Sequence, residues 1–175
     1  MKKLFQIILQ AGTPFLLIAF ILTSGCQQQE DYTKELKPLA DKYVEVWNGA
    51  NPDELDSIMS SDYAYHSNQD SVVNGLEGIK KVISSFRTAY PDAKLTIEDE
   101  IFSKDKAVSR WVINGTNTGP GQMPPTGKYV KIWGESIINI VNGKLAEEWV
   151  AFDQLAIMTQ LGYTMMPPAA PEKKK

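Results

Sequence analysis

The dipeptide Asn142-Gly143 limits what this chain can fold into more than any other feature. It separates two runs, 128–141 and 144–153, both rich in apolar and β-branched residues. Asn-Gly between such runs predicts a β-hairpin, because a type I′ turn needs positive φ at both central residues. A two-residue loop sets Val141 opposite Lys144. Counting back, Ser136 faces Trp149, Gly134 faces Ala151 and Ile132 faces Asp153. Side chains alternate along a strand. One face then carries Ile132, Gly134, Ser136, Ile138, Ile140, Leu145, Glu147, Trp149, Ala151 and Asp153. The other carries Trp133, Glu135, Ile137, Asn139, Val141, Ala146, Glu148, Val150 and Phe152, which turns Glu148 outward. The first face combines apolar residues, small residues beside Trp149, and a carboxylate. An acid among apolar groups is costly unless used or paired, so this face reads as the wall of a ligand cavity. A β-bulge would shift the assignment by one residue and move Asp153 out.

A chain of 175 residues with 43% apolar content suits one domain with a real core. A net charge of −3 gives no indication of nucleic-acid binding. With one cysteine, Cys26, and one histidine, His66, there is no internal disulfide and no three-ligand metal cluster. No cofactor is expected.

The first residues are a basic head, Met1-Lys2-Lys3, followed by an interrupted apolar stretch whose clean run is only 15–22. That is short for a membrane span, which needs about 20 apolar residues, and fits a signal-peptide core. Ser24-Gly25-Cys26 resembles the bacterial lipoprotein signal, in which cleavage leaves a lipidated cysteine at the new N-terminus. The expectation is a signal peptide over 1–25, lipidation at Cys26, a polar tether over 26–33 and attachment to the cell envelope. The alternative is an ordinary secretory signal with an incidental cysteine.

Leu36, Leu39, Ala40, Tyr43, Val44 and Trp47 recur at helical spacing and predict an amphipathic helix ending at Asn48-Gly49. Asn51-Pro52-Asp53-Glu54 starts a second, short one. Tyr63-Ala64-Tyr65-His66 reads as a short strand. A third helix opens near Gly75 and closes before Pro91. From Ala93 the period becomes two. Leu95, Ile97, Asp99 and Ile101 alternate with Thr96, Glu98, Glu100 and Phe102; after a turn, 107–118 forms the next strand. The Gly- and Pro-rich stretch 119–127 is a loop. Residues 154–161 read as a short helix covering one mouth of the cavity, and 164–175 as a disordered tail. Helices followed by an antiparallel meander belong to the α+β class.

Several segments, taken in order, resemble the SnoaL-like polyketide cyclase (ester cyclase) family over about 34–163. They include Tyr43…Trp47-Asn48, Asp62-Tyr63…His66, Gly75-Leu76-Glu77-Gly78-Ile79, Tyr90-Pro91-Asp92 and Val108-Ser109-Arg110-Trp111. They continue with Pro124-Pro125-Thr126-Gly127, Glu148-Trp149…Asp153 and Gln160-Leu161-Gly162. The resemblance implies the cone-shaped fold of nuclear transport factor two and ketosteroid isomerase: a curved antiparallel sheet with N-terminal helices on its concave face and a deep, mostly apolar pocket. It implies that Asp153 is a general acid and base in an intramolecular aldol closure, with His66 lining the pocket as its helper. Arg110 is followed two positions later by Val112, which argues against the Asp-Arg-Asp chemistry of a related epoxide hydrolase branch.

Trp149, Arg110, Tyr43, Trp47 and Ser136 complete the expected substrate contacts. Structural alternatives stand beside these roles. Asp153 suits capping of the following helix or pairing with Arg110, Tyr43 and Trp47 suit a core, and His66 suits a hydrogen-bonded structural site. The expected partners are a small hydrophobic carbonyl compound, a membrane through the lipid anchor, and a second copy of the chain. The expected activity is acid–base cyclisation or isomerisation, with a non-catalytic binding lipoprotein as the alternative.

Overall fold

The computed structural model describes residues 31–67 and 72–166. The expected signal peptide, Cys26, most of the expected tether and the residues beyond 166 lie outside the described residues. Helix α1 (Thr33–Trp47) begins where Asp31 accepts a hydrogen bond from the Thr33 amide at 3.0 Å, and ends at Asn48. Gly49 follows at φ 106°, a conformation that suits glycine. The second helical segment is a 3₁₀ turn, Pro52–Glu54, with Asn51 accepting from the Asp53 amide, continued by α2 (Leu55–Ile58). Strand β1 (Met59–His66) is longer than the expected Tyr63-to-His66 piece, and the short β2 (Val72–Asn74) carries no clear sequence signal. Helix α3 (Leu76–Ala89) buries Ile79 and Ile83 on its apolar stripe.

The remaining strands are β3 (Lys94–Ser103), β4 (Lys106–Thr116), β5 (Tyr129–Val141) and β6 (Lys144–Phe152), followed by α4 (Gln154–Leu161). The α+β architecture is the expected one, with N-terminal helices against the inner face of a curved sheet. The sheet has six strands in the order β2-β1-β6-β5-β4-β3. It is mixed rather than wholly antiparallel, because β1 runs parallel to β6. The side chain of Asn48 fixes α1 to β3, accepting from the Leu95 amide at 2.8 Å and donating to the Leu95 carbonyl at 3.0 Å.

The turn forms as its sequence requires: Asn142 and Gly143 have φ of 52° and 71°, and Val141 pairs with Lys144. The strands then depart from simple alternation. Ile140 pairs with Leu145 but Asn139 pairs with Glu147, so Ala146 is an extra residue in β6. A bulge leaves one residue unpaired and reverses the faces beyond it. The observed partners are Ile138 with Glu148, Ile137 with Trp149 and Gly134 with Phe152. The expected pairs Ser136–Trp149, Gly134–Ala151 and Ile132–Asp153 are each displaced by one. The inner face of β5 is as expected, while that of β6 becomes Leu145, Glu148, Val150 and Phe152. Strand β3 repeats the pattern: register shifts between Ile97 and Asp99, leaving Glu98 as the extra residue. Glu100 and Phe102 therefore join Leu95 and Ile97 on the more buried side, in place of the expected Asp99 and Ile101.

Candidate active site

Between the inner face of the sheet and helices α1, α3 and α4 lies a cavity of about 840 Å³. That is enough for a drug-sized organic molecule, for which pockets run to roughly 300–1,000 Å³. Aromatic rings supply much of the wall: Tyr43, Trp47, Tyr65, Phe86, Trp111 and Phe152. One end is framed by α4, through Gln154, Ile157 and Met158, and by Gly121, Gln122 and Met123 of the loop after β4. That loop crosses close over α3: the Gly119 amide donates to the Ala89 carbonyl at 3.1 Å, and a Cβ on Gly119 would lie 1.8 Å from the Thr88 carbonyl oxygen.

The carboxylate in the wall is Glu148, only 4% exposed. One of its oxygens, Oε2, accepts from the Tyr43 hydroxyl at 2.8 Å and from the Tyr63 hydroxyl at 2.6 Å. Ser136 stands in the same wall, diagonally across the strand pair: it pairs with Val150, while Ile138 pairs with Glu148. The indole N–H of Trp111 donates to Ser136 Oγ at 3.0 Å. Loss of water around Glu148 raises its carboxyl above the ordinary range, against the lowering effect of its hydrogen bonds to Tyr63, Ser136 and Tyr43. Burial, then the neighbouring Glu148, pushes Tyr43 and Tyr63 well above the usual phenol range, so both stay neutral donors.

The bulge at Ala146 turns Asp153 out of this cavity, and alternation along β1, which buries Tyr63 and Tyr65, turns His66 out as well. Asp153 is exposed and caps α4, its Oδ1 accepting from the Ala156 amide at 2.8 Å. His66 lies across the strand pair from Trp149, and both rings turn to the outer face, stacked at 3.8 Å. There His66 Nε2 meets Glu147 Oε1 at 3.0 Å, and Glu147 Oε2 accepts from Asn139 at 2.6 Å. Trp149 is 54% exposed and is no pocket wall. Arg110 is also outside, paired with Glu98. Tyr43, Trp47 and Ser136 do line the cavity. Glu148, expected to face outward, and Tyr63 are the residues that the sequence reading missed. The odd spacing of the apolar positions Leu145, Val150 and Phe152, five residues and then two, is the signal that could have found Glu148.

Among the described residues, no three His, Cys, Asp or Glu side chains gather as a metal site. No helix among them is long and apolar enough to cross a membrane.

No curated protein matches the chain. Solved structures do. A SnoaL-like polyketide cyclase candidate from Jannaschia sp. CCS1 superposes with a TM-score of 0.71 at 18% identity, covering 80% of this chain and 100% of its own. TsrD from Streptomyces laurentii superposes with a TM-score of 0.68 at 27% identity, covering 76% and 98%. A protein of ketosteroid isomerase-like fold from Catenulispora acidiphila, solved with trimethylamine, gives a TM-score of 0.62 at 14% identity, covering 74% and 97%. The family model for SnoaL-like polyketide cyclases matches residues 37–161, which takes in the helices, the sheet and every residue around Glu148; the chain belongs to that family.

Proposed function

We propose that this protein moves a proton on a small apolar carbonyl compound held in the cavity, with Glu148 as the acid–base group, leading to cyclisation or isomerisation. The supporting observation is the placement of Glu148: a buried carboxylate in an aromatic wall, with Tyr43 and Tyr63 on one oxygen. The desolvated carboxyl is a stronger base than one in water. In this reading Glu148 takes a proton from the carbon next to the substrate carbonyl and becomes neutral. The phenol hydroxyls, no longer held by a full negative charge, turn their donation to the enolate oxygen. The enolate carbon then attacks a second carbonyl in the same molecule, or is reprotonated at another position, and Glu148 returns its proton to the alkoxide or carbon.

The test needs no natural substrate. Aromatic β-keto esters in D₂O are followed by NMR for deuterium uptake at the carbon flanked by the two carbonyls. Purified protein is expected to accelerate exchange, and Glu148→Gln to lose roughly 10²–10⁴ of that rate while ligand quenching of tryptophan fluorescence persists. Undiminished exchange in the variant sinks the proposal. A carrier is the second reading. It is favoured by the fact that every buried side-chain polar atom among the described residues already has a partner, so Glu148 is satisfied without a guest. Binding with no exchange above buffer selects it.

Two further proposals concern partners. The first places the chain on the cell envelope through a lipid on Cys26, supported by the basic head, the short apolar run and Ser24-Gly25-Cys26. Cys26→Ser is expected to release the protein from membranes, and retention would reject the anchor. The second pairs the outer face of the sheet with a second copy. One lateral row crosses all six strands in register: Ile101, Val108, Ile137, Trp149, His66 and Val72. At about 4.8 Å per strand the row runs about 24 Å, and all but His66 are exposed apolar side chains. The next residues along β4 and β5 place Arg110 opposite Glu135, so a twofold pairing can bring opposite charges together. Sedimentation of purified protein should show a dimer that Trp149→Glu dissociates; a monomeric wild type at tens of micromolar rejects it.

A further inference from the structure

Trp111 and Gly134 are cross-strand partners on β4 and β5. The indole lies so close over Gly134 that a Cβ there would come within 2.4 Å of two ring carbons. This close approach carries the ring N–H to Ser136, two residues further along the same face of β5, at 3.0 Å. Both Trp111 and Ser136 are buried. A serine hydroxyl has one hydrogen and two lone pairs. An indole donates only, so the bond uses a lone pair of Ser136 and leaves its hydrogen free for another acceptor. Glu148 shares that inner face, diagonally across from Ser136, whose own partner Val150 lies two residues further along β6, and the serine hydroxyl favours the ionised carboxyl.

We propose that Trp111 and Ser136 are positioning residues for Glu148: the indole fixes the serine rotor so that its hydroxyl donates to the carboxylate, and Gly134 supplies the space that the ring needs. Three donors from three elements then surround one buried acid: Tyr43 from α1, Tyr63 from β1 and Ser136 from β5. Tyr43 sets the side facing the helices, Tyr63 the side toward β1, and Ser136 the side toward the middle of the sheet. Removing the Ser136 hydroxyl withdraws a charge-assisted bond and leaves burial less opposed, so the folded protein binds the Glu148 proton more tightly. The titratable groups packed against Glu148 are Tyr43, Tyr63 and Tyr65. Burial raises all three, so they keep their protons while Glu148 titrates. Glu100 from β3 and Lys81 from α3 line the same cavity, and the linings from β4 and β5 carry no ionisable side chain.

The inference deepens the reading of Glu148 as the working acid and rests on it for its meaning in catalysis, but its test needs no turnover. Protein carrying ¹³C at the glutamate δ-carbon is titrated by NMR, with the Glu148 signal assigned by its absence in Glu148→Gln. Ser136→Ala is expected to raise the midpoint by about one pH unit or more, and Ser136→Thr to restore it. Trp111→Phe should raise it by a smaller amount and add nothing in the Ser136→Ala background. Gly134→Ala, whose Cβ would press on the ring and also lie 2.8 Å from the Ala151 carbonyl oxygen, should raise the midpoint at least as much as Trp111→Phe. An unchanged midpoint in folded Ser136→Ala overturns the inference, as does a Trp111 or Gly134 effect that persists in full without the serine hydroxyl. If Trp111→Phe does not fold, the Ser136 variants decide. A normal relay with no deuterium exchange would reject the catalytic reading alone.

Discussion

Burial of Glu148 costs the fold something, and the proposed chemistry rests on the same carboxyl. Its carboxyl is raised in the native state mainly by desolvation, so folding binds its proton more tightly than the unfolded chain does. The linked stability is fully present below the unfolded carboxylate range and is lost as pH rises through the higher native value. Glu148→Gln removes that loss. Its melting temperature is expected to exceed wild type by a few degrees at pH 8, or about 1 kcal/mol for a domain of this size. The gap should close as pH falls toward 4. Calorimetry at several pH values checks this, and a variant less stable than wild type at pH 8 would show that the hydrogen bonds to the carboxylate outweigh burial. Residue chemistry alone left Glu148 hidden. It stands next to Glu147 in sequence, and nothing in two adjacent glutamates says which is drawn into the cavity.

The concealment belongs to the strand. Both strands that depart from simple alternation carry one extra residue, Ala146 in β6 and Glu98 in β3. In both, the inner apolar positions jump by five: Leu145 to Val150, and Ile97 to Phe102. That jump is legible, but Trp149 and Ile101 lie on the outer face and imitate unbroken alternation. The turn at Asn142-Gly143, the inner face of β5 and the stripe of α1 were readable because each depends on local chemistry. The face of β6 depends on where hydrogen bonding skips a residue, which is set by fit to β1 and β5 together. Asp153 then takes the capping role that the sequence also allowed. Asp153→Asn keeps a good capping group and should leave stability and ligand binding near wild type. Asp153→Ala should cost about 1 kcal/mol without weakening binding. Denaturant titration beside a fluorescence binding curve distinguishes them; a collapse of binding in Asp153→Asn would return that residue to the site.

Across the whole molecule, the cavity is assembled from distant parts of the chain. Tyr43 and Tyr63 reach Glu148 across 105 and 85 residues, and the two halves of the sheet meet only where β1 lies parallel to β6. The general architecture was legible because helices precede a meander and the family pattern runs through both. The parallel junction was not, because no turn signal marks strands that lie far apart in sequence. Its consequence is temporal. A polypeptide emerging from its N-terminus can make the β1–β2 hairpin and the β3–β5 meander early, yet these stay unjoined until the segment ending at Phe152 arrives. Chains halted before Lys144 should therefore be cut readily by protease, and those extended past Leu161 should resist, so the domain keeps a threadable form until its last strand is made.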